Sequence, residues 1–351
     1  MSAAVSVDEL RSTLEAREEP GVAELLEALR TVVRDAGVDE WASELTPLKR
    51  RVYRLHLNER HGARSVILKR SEPPIAQLNR FVAERWLPAL RLGDHCAALL
   101  ATAADRQGRW FWQIYEDLGE DTLERQSDRP RVAATTELIA ELHARGAGHA
   151  LLPEVRQYGK DLGLAFFAAN VGDAIRGLEQ LGGEHSPGEL RSLRDRLLQR
   201  MYPLLVDMPS RAQVVKDAGG PDTLLHGDLW RHNAFATVSA GGVRVQLIDW
   251  DHVGVGPLAY DLSTFLMRFP PAERPWILDR YRDTLSLWGL RLPSERELNV
   301  LFETAEYARF ANRVSWAAMA WLHEGAEWVP IELAEIERWF VALGPILAES
   351  E

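Results

Sequence analysis

The sequence predicts an α+β chain of two lobes, a small mixed N-lobe and a large, mainly helical C-lobe. Short stretches of alternating apolar residues lie at 52–57 and 65–70, and strand-like runs recur near 96–104 and 110–115. Period-two alternation is what a half-buried strand requires. Past Glu116 the apolar residues fall at helical spacing instead, as with Leu138, Ile139 and Leu142. The helical half returns to strand character only around residues 223–248.

Taken in order, Ser6 and Glu9 read as a capping box opening a helix to about Arg17, broken by Pro20-Gly21. Val22, Leu25, Leu26, Leu29, Val32 and Val33 form the apolar stripe of a second helix reaching Asp35, with Gly37 as its stop. Residues 1–40 are therefore expected as an N-terminal helical extension. From Trp41 the pattern changes. Residues 52–57 and 65–70 read as a hairpin about Glu59-Arg60-His61-Gly62. A helix over roughly 74–90 follows, then two strands joined by Asp105-Arg106-Gln107-Gly108, which completes a lobe over 41–115. Residues 116–118 read as a hinge, and 119–351 as the second lobe. There, helices are expected over 132–145, 161–182, 187–206, 271–290, 295–324 and 330–348. A strand is expected at 223–225, with a hairpin of 235–238 and 243–248 about Ala240-Gly241-Gly242.

Composition excludes several classes. Of the 351 residues, 46% are hydrophobic and 26% charged, as in ordinary globular proteins. A net charge of −11 argues against a nucleic-acid partner, since phosphate backbones need a basic field. No apolar run approaches a membrane span, and the acidic N-terminus lacks a signal-peptide pattern. A single cysteine, Cys96, forbids an intramolecular disulfide and fits a reducing compartment, so the expected location is the cytoplasm. Most of the twelve tryptophans are expected as core anchors, with some available to a ring-bearing ligand.

The chemistry concentrates in His226-Gly227-Asp228-Leu229-Trp230-Arg231-His232-Asn233 and Ile248-Asp249-Trp250-Asp251. An Asp, an Asn five residues later and an Asp sixteen beyond that are what magnesium-dependent phosphoryl transfer needs. One carboxylate orients the attacking hydroxyl and accepts its proton, while an amide and a second carboxylate hold the metal. Magnesium prefers such hard oxygen ligands and takes few from protein.

This order of residues resembles the aminoglycoside phosphotransferase and choline kinase family, a branch of the protein-kinase-like fold. The likeness spans roughly residues 45–270 by motif. It implies Asp228 as catalytic base and Asn233 and Asp249 as ligands of Mg2+, with Asp251, His226 and Arg231 in supporting places. Lys69, at the end of Val-Ile-Leu-Lys, is implied as the lysine that pairs with the nucleotide's phosphates, and Glu84 as its helix partner. Glu116 and Leu118 belong to the hinge whose backbone reads a purine edge. Asp261 resembles the family's downstream Asp, which supports the catalytic loop from a helix N-terminus.

The chain departs from the pattern between Trp41 and Tyr53, where no glycine cradles phosphate; Lys49, Arg50 and Arg51 offer charge instead. The donor implied by the resemblance is ATP or GTP. The acceptor is a small hydroxyl-bearing molecule: aminoglycoside-like, a sugar or an amino-alcohol. Its contacts are expected among Glu303, Glu306, Tyr307, Arg309, Trp316, Trp321, Glu324, Glu327 and Trp328, where carboxylates and aromatic faces suit a cation. The alternative is a pseudokinase that binds a nucleotide or metabolite as sensor or scaffold. Oligomeric state is left open.

Overall fold

The computed structural model describes residues 7–35, 42–59, 62–181 and 188–348. The chain divides into two compact units: Met1–Arg131 with His232–Asp251, and Val132–Arg231 with His252–Glu351.

The first unit opens with helices α1 (Val7–Ala16) and α2 (Val22–Asp35). The expected capping Ser6, the stop at Gly37 and the turn residues Arg60-His61 lie outside the described residues. Strands β1 (Ala42–Lys49), β2 (Val52–Glu59) and β3 (Gly62–Ser71) follow. Helix α3 (Pro73–Phe81) starts on two prolines, whose fixed φ suits a first turn. It runs through a π-turn (Val82–Trp86) into α4 (Leu87–Ala89), and then come β4 (Leu99–Ala104) and β5 (Phe111–Glu116). The five strands form one antiparallel sheet in the order β1-β2-β3-β5-β4.

Alternation decides what each face of that sheet does. Tyr53, Leu55, Leu57, Val66, Leu68, Trp112 and Ile114 are buried with Leu10, Leu14, Leu25, Leu26 and Leu29 of the two N-terminal helices. Trp112 Nε1 donates to the Pro20 carbonyl at 2.7 Å, and Arg70 pairs with Glu19 at 2.9 Å. The N-terminal extension is thus the cover of the sheet. The intervening residues Val52, Arg54, Ile67 and Lys69 line a cavity. Strand β1 was not expected. Its two-residue turn, Arg50-Arg51, takes the positive φ of 66° on an arginine, where a glycine signal was sought.

The chain continues through α5 (Arg129–Gly146), α6 (Leu152–Tyr158), β6 (Lys160–Asp161), α7 (Leu164–Gln180), α8 (Gly188–Ala218) and β7 (Thr223–Leu225). Helix α8 runs past its expected end near 206 despite Pro203 and Pro209, and stops where Gly219-Gly220 begins. The hairpin β8 (Ala234–Ser239) and β9 (Gly242–Leu247) belongs to the first unit. The second unit then resumes with β10 (Gly254–Gly256), α9 (Ala259–Leu266), α10 (Arg274–Ser286), α11 (Glu295–Glu324) and α12 (Val329–Ala342). Helix α11 carries a full capping box, with Ser294 and Glu297 each satisfying the other's backbone N–H. Its last turn ends at Gly325, φ 61°. The core of the unit is the apolar seam between α7, α8, α11 and α12. A small sheet, β6-β10-β7, supports the segment that enters the Asp228 loop. Among the described residues no helix is long and apolar enough to cross a membrane.

If α1 and α2 are integral to the sheet's core, Leu25→Ala lowers stability by about 2–5 kcal/mol, because the fully buried leucine leaves a cavity. Urea unfolding of wild type and variant measures this. An unchanged midpoint would show the extension to be dispensable.

Candidate functional site

In the first unit a cavity of about 270 Å³ opens between the sheet, α3 and the β8–β9 hairpin. Its polar end is built by a buried cation. Lys69 Nζ lies 2.7 Å from Asp249 Oδ1 and 2.7 Å from Asp251 Oδ1. Lys49, from the end of β1, reaches Asp249 Oδ2 at 2.8 Å. Burial alone lowers a lysine's pKa, but here the attraction of Asp251 and Asp249 outweighs it and Lys69 is raised. Burial likewise favours the neutral form of Asp249, yet Lys69 and Lys49 hold that carboxyl well below the usual range. Lys69 and Asp249 therefore stay charged at neutral pH.

The hairpin brings the two expected metal ligands together. Ala234 pairs with Leu247, and the ladder closes with Ile248 N–H donating to the Asn233 carbonyl at 2.9 Å. This register sets Asn233 and Asp249 at neighbouring strand ends, where both line the cavity. Trp250 is buried between the two aspartates and donates to the Leu247 carbonyl at 3.2 Å. Asp249 itself has φ 65°, a conformation that costs an L-residue energy and is held by the surrounding ion pairs. Among the described residues no three His, Cys, Asp or Glu side chains cluster as a metal site. One carboxylate and one amide still fit Mg2+, which takes most of its ligands from phosphate and water.

At the far end, Glu116–Gly119 is fixed from several sides. Glu116 accepts from Ala98 N–H at 2.9 Å and from Gln246 Nε2 at 3.0 Å. Asp117 pairs with Arg54 at 2.6 Å and accepts from Ser65 at 2.6 Å and Gly119 N–H at 2.9 Å. Glu116 and Leu118 both line the cavity. Cys96 lines it too, and burial, with Glu116 and Asp94, pushes its thiol up to about 11.

Glu84 does not meet Lys69. It is exposed and pairs with Arg80 at 2.8 Å. Asn79 takes that side of the helix instead, donating to Asp251 at 2.7 Å. The reason is rotational. Five residues beyond Asn79 lie about 140° further round a helix, so Ala83 and not Glu84 follows Asn79 on the cavity side. Asn79 was missed by sequence reasoning. Its signal was a polar residue within the buried stripe Ala76, Leu78, Val82.

In the second unit, buried strand β7 leads into His226-Gly227-Asp228. Asp261, in the first turn of α9, accepts the backbone N–H groups of His226 at 2.6 Å and Gly227 at 2.9 Å. Burial alone would raise its pKa, but bonds to His143 and Gly227 outweigh that and keep the carboxylate ionised. His143 also meets the Tyr281 hydroxyl at 2.7 Å. His226 is fully buried, and its Nδ1 accepts Asp228 N–H at 3.2 Å, so it shapes the loop. Asp228 is half-buried. Gly227 has φ 82°, and a Cβ there would meet the His252 carbonyl oxygen at 2.0 Å. Only glycine is compatible with that position. The Arg231 guanidinium lies 5.5 Å from the Phe269 ring centroid. His232, which like Glu124 belongs to the first unit, is exposed and lies 3.8 Å from it.

The expected acceptor residues are differently used. Glu306 is fully buried on Arg309, Ser263 and Thr264, while Glu303 pairs with Arg211 at 3.3 Å. Tyr307 stacks on Phe340. Trp321 packs on the helical core, while Trp316, Glu324, Glu327 and Trp328 are exposed.

Gly227→Ala is expected to cost about 2 kcal/mol or more, read from the urea midpoint, and an unshifted midpoint would contradict the close approach of His252. Alkylation of Cys96 by iodoacetamide, followed by mass spectrometry, should be slow at pH 8, where about one thiol in a thousand is ionised, and should climb until pH approaches 11. A plateau near pH 8.5 would contradict the burial of this thiol.

Residues 48–298 match the family model described as "Phosphotransferase enzyme family". Similar solved structures include an ethanolamine kinase of Plasmodium vivax, 13% identical, covering 86% of this chain and 82% of that one, TM-score 0.55. A macrolide 2'-phosphotransferase from Brachybacterium faecium is 16% identical, with coverage of 88% and 97% and a TM-score of 0.53. A spectinomycin phosphotransferase, solved with ADP and spectinomycin, is 11% identical, with coverage of 89% and 92% and a TM-score of 0.52. A comparison with curated protein sequences gave no match. The family match spans most of the chain, and these structures share its α+β, protein-kinase-like fold of sheet N-lobe and helical C-lobe. The chain belongs to the phosphotransferase enzyme family, and it is a phosphotransferase with an alcohol group as acceptor.

Proposed function

We propose that this enzyme transfers the γ-phosphoryl group of ATP or GTP to a hydroxyl of a small molecule: an aminoglycoside-like compound, a sugar or an amino-alcohol. The observation that carries this reading is Lys69 held by Asp249 and Asp251 at the polar end of a cavity whose other end is the Glu116–Gly119 segment. A purine ring suits the apolar part of that cavity, and its edge meets backbone groups of residues 116–118, which act as the hinge. The nucleotide's phosphates then lie toward Lys69 and Lys49. The ammonium of Lys49, from a turn with no glycine, replaces the backbone cradle with a point charge. A spectinomycin phosphotransferase of like fold was solved with ADP, which supports a nucleotide donor.

Asn233 and Asp249 hold Mg2+, with Asp251 beside them. The metal neutralises phosphate charge when bound. Asp228 is the base. It orients the acceptor hydroxyl and takes its proton as the oxygen–phosphorus bond forms and the bond to the β,γ-bridging oxygen breaks. The nucleoside diphosphate is the leaving group. The loop bearing Asp228 owes its shape to Gly227 and Asp261, so most of the rate enhancement comes from positioning and charge. A nucleotide donor and a lone thiol support a cytoplasmic location.

Thermal unfolding with ATP or GTP, each with and without magnesium, tests the donor site. Nucleotide at about 100 times its Kd adds roughly 2.7 kcal/mol to wild type, and Asp249→Ala loses the magnesium-dependent part. Absence of any nucleotide-dependent shift would overturn the reading. Asp228→Ala should keep that shift while turnover falls about 10²–10⁴-fold. Unaltered turnover would remove Asp228 from the role of base.

A further inference from the structure

The charges around the Asp228 loop in the second unit bear on the chemistry of the acceptor. Two residues after Asp228, the Trp230 ring carries the Arg268 guanidinium 3.3 Å from its centroid. The neighbouring pair repeats the arrangement, with Arg231 over Phe269. Arg268 is half-buried, and its Nε has no hydrogen-bond acceptor among the described residues. No carboxylate of the described residues lies within ion-pair distance of Arg268 or Arg231.

Three other arginines of the second unit are neutralised. Arg309 is paired with Glu306, Arg313 with Glu332 at 2.7 Å, and Arg211 with Glu303 and with Asp207 at 2.8 Å. The carboxylates that could have received a cationic acceptor are thus occupied by internal arginines. Glu306, already held by Arg309, and Asp228 attract Arg268 from a distance, but neither forms an ion pair with it. A guanidinium with donors left unpaired gains from a ligand anion that pairs with them directly. Stacking on an indole fixes the guanidinium plane without using its N–H donors. Those donors then form a flat fork that matches a carboxylate or phosphate.

We propose that the acceptor is a hydroxyl compound bearing an anionic group, a carboxylate or a phosphate ester, held by Arg268 on its Trp230 platform with Arg231 adding positive charge. This rests on the phosphotransferase reading above and narrows it. Polycationic aminoglycosides are the acceptors this arrangement disfavours. Arg268 is a binding residue, so its loss acts on acceptor affinity.

The test is isothermal titration of the full chain, with magnesium and the non-hydrolysable nucleotide AMP-PNP, by four three-carbon probes differing in charge. These are serinol (cationic), glycerol (neutral), glycerate (carboxylate) and glycerol 3-phosphate. Wild type should bind at least one anion about tenfold or more tightly than glycerol and serinol. Which anion leads tells carboxylate from phosphate. Arg268→Gln should erase the preference and Arg268→Lys should keep part of it, with unfolding midpoints showing that each variant is folded. Arg231→Gln is the second variant, expected to weaken the preference. Equal affinities across the probes, no binding of any probe, tighter serinol binding, or a preference that survives Arg268→Gln would each overturn the proposal. Failure of the donor reading is distinguishable, because AMP-PNP then gives no heat of its own. The four probes are in that case titrated without nucleotide and judged by the same criteria.

Discussion

A largely buried ammonium between two carboxylates sets the terms for the first unit. Lys69, Asp249 and Asp251 all lie largely away from water, so each is tolerable only while the others stay in place. Several features of the unit serve that requirement. Strand alternation in β3 turns Lys69 toward the cavity and Leu68 toward the helices. The β8–β9 ladder and the buried Trp250 fix the aspartates, and Asn79 donates a further bond to Asp251. Lys49 reaches in from the β1–β2 turn. A site built this way holds its charges in fixed positions, which is the physical basis of electrostatic preorganisation.

The second unit solves a related problem with neutral backbone. Here Asp261 is the buried charge, and its partners are two backbone N–H groups and a histidine. A carboxylate so satisfied holds the His226-Gly227 peptides rigidly, and the chain must pass close under His252. Glycine at 227 is the consequence. Where protein kinases carry arginine, this loop cannot accommodate any side chain. Beside the loop, Arg268 and Arg231 stack on aromatic rings and form no ion pair among the described residues.

Much of this was legible in the linear sequence because it depends on local periodicity. The α2 stripe, the β2 alternation, the β8–β9 hairpin and the order Asp228, Asn233, Asp249 are local patterns, and they identify the α+β fold class and the phosphotransferase family. Helix-stop signals served where glycine stood in the expected place. They misled at α8, whose prolines did not end it, while β1 went unread because its turn uses arginine at positive φ in place of glycine.

What only the tertiary structure decided is partnership. Glu84 and Asn79 sit five residues apart on one helix, and spacing from Lys69 gave no basis for choosing between them. Rotation about the helix axis turns Asn79 to the aspartates and Glu84 to solvent. Glu303 and Glu306 read as free carboxylates on an acidic helix face, yet folding brings arginines from three to about ninety residues away to meet them. Charge in a sequence is additive, whereas charge in a site is what remains after burial has paired it. That remainder depends on contacts between segments distant in the chain and is set only by the fold.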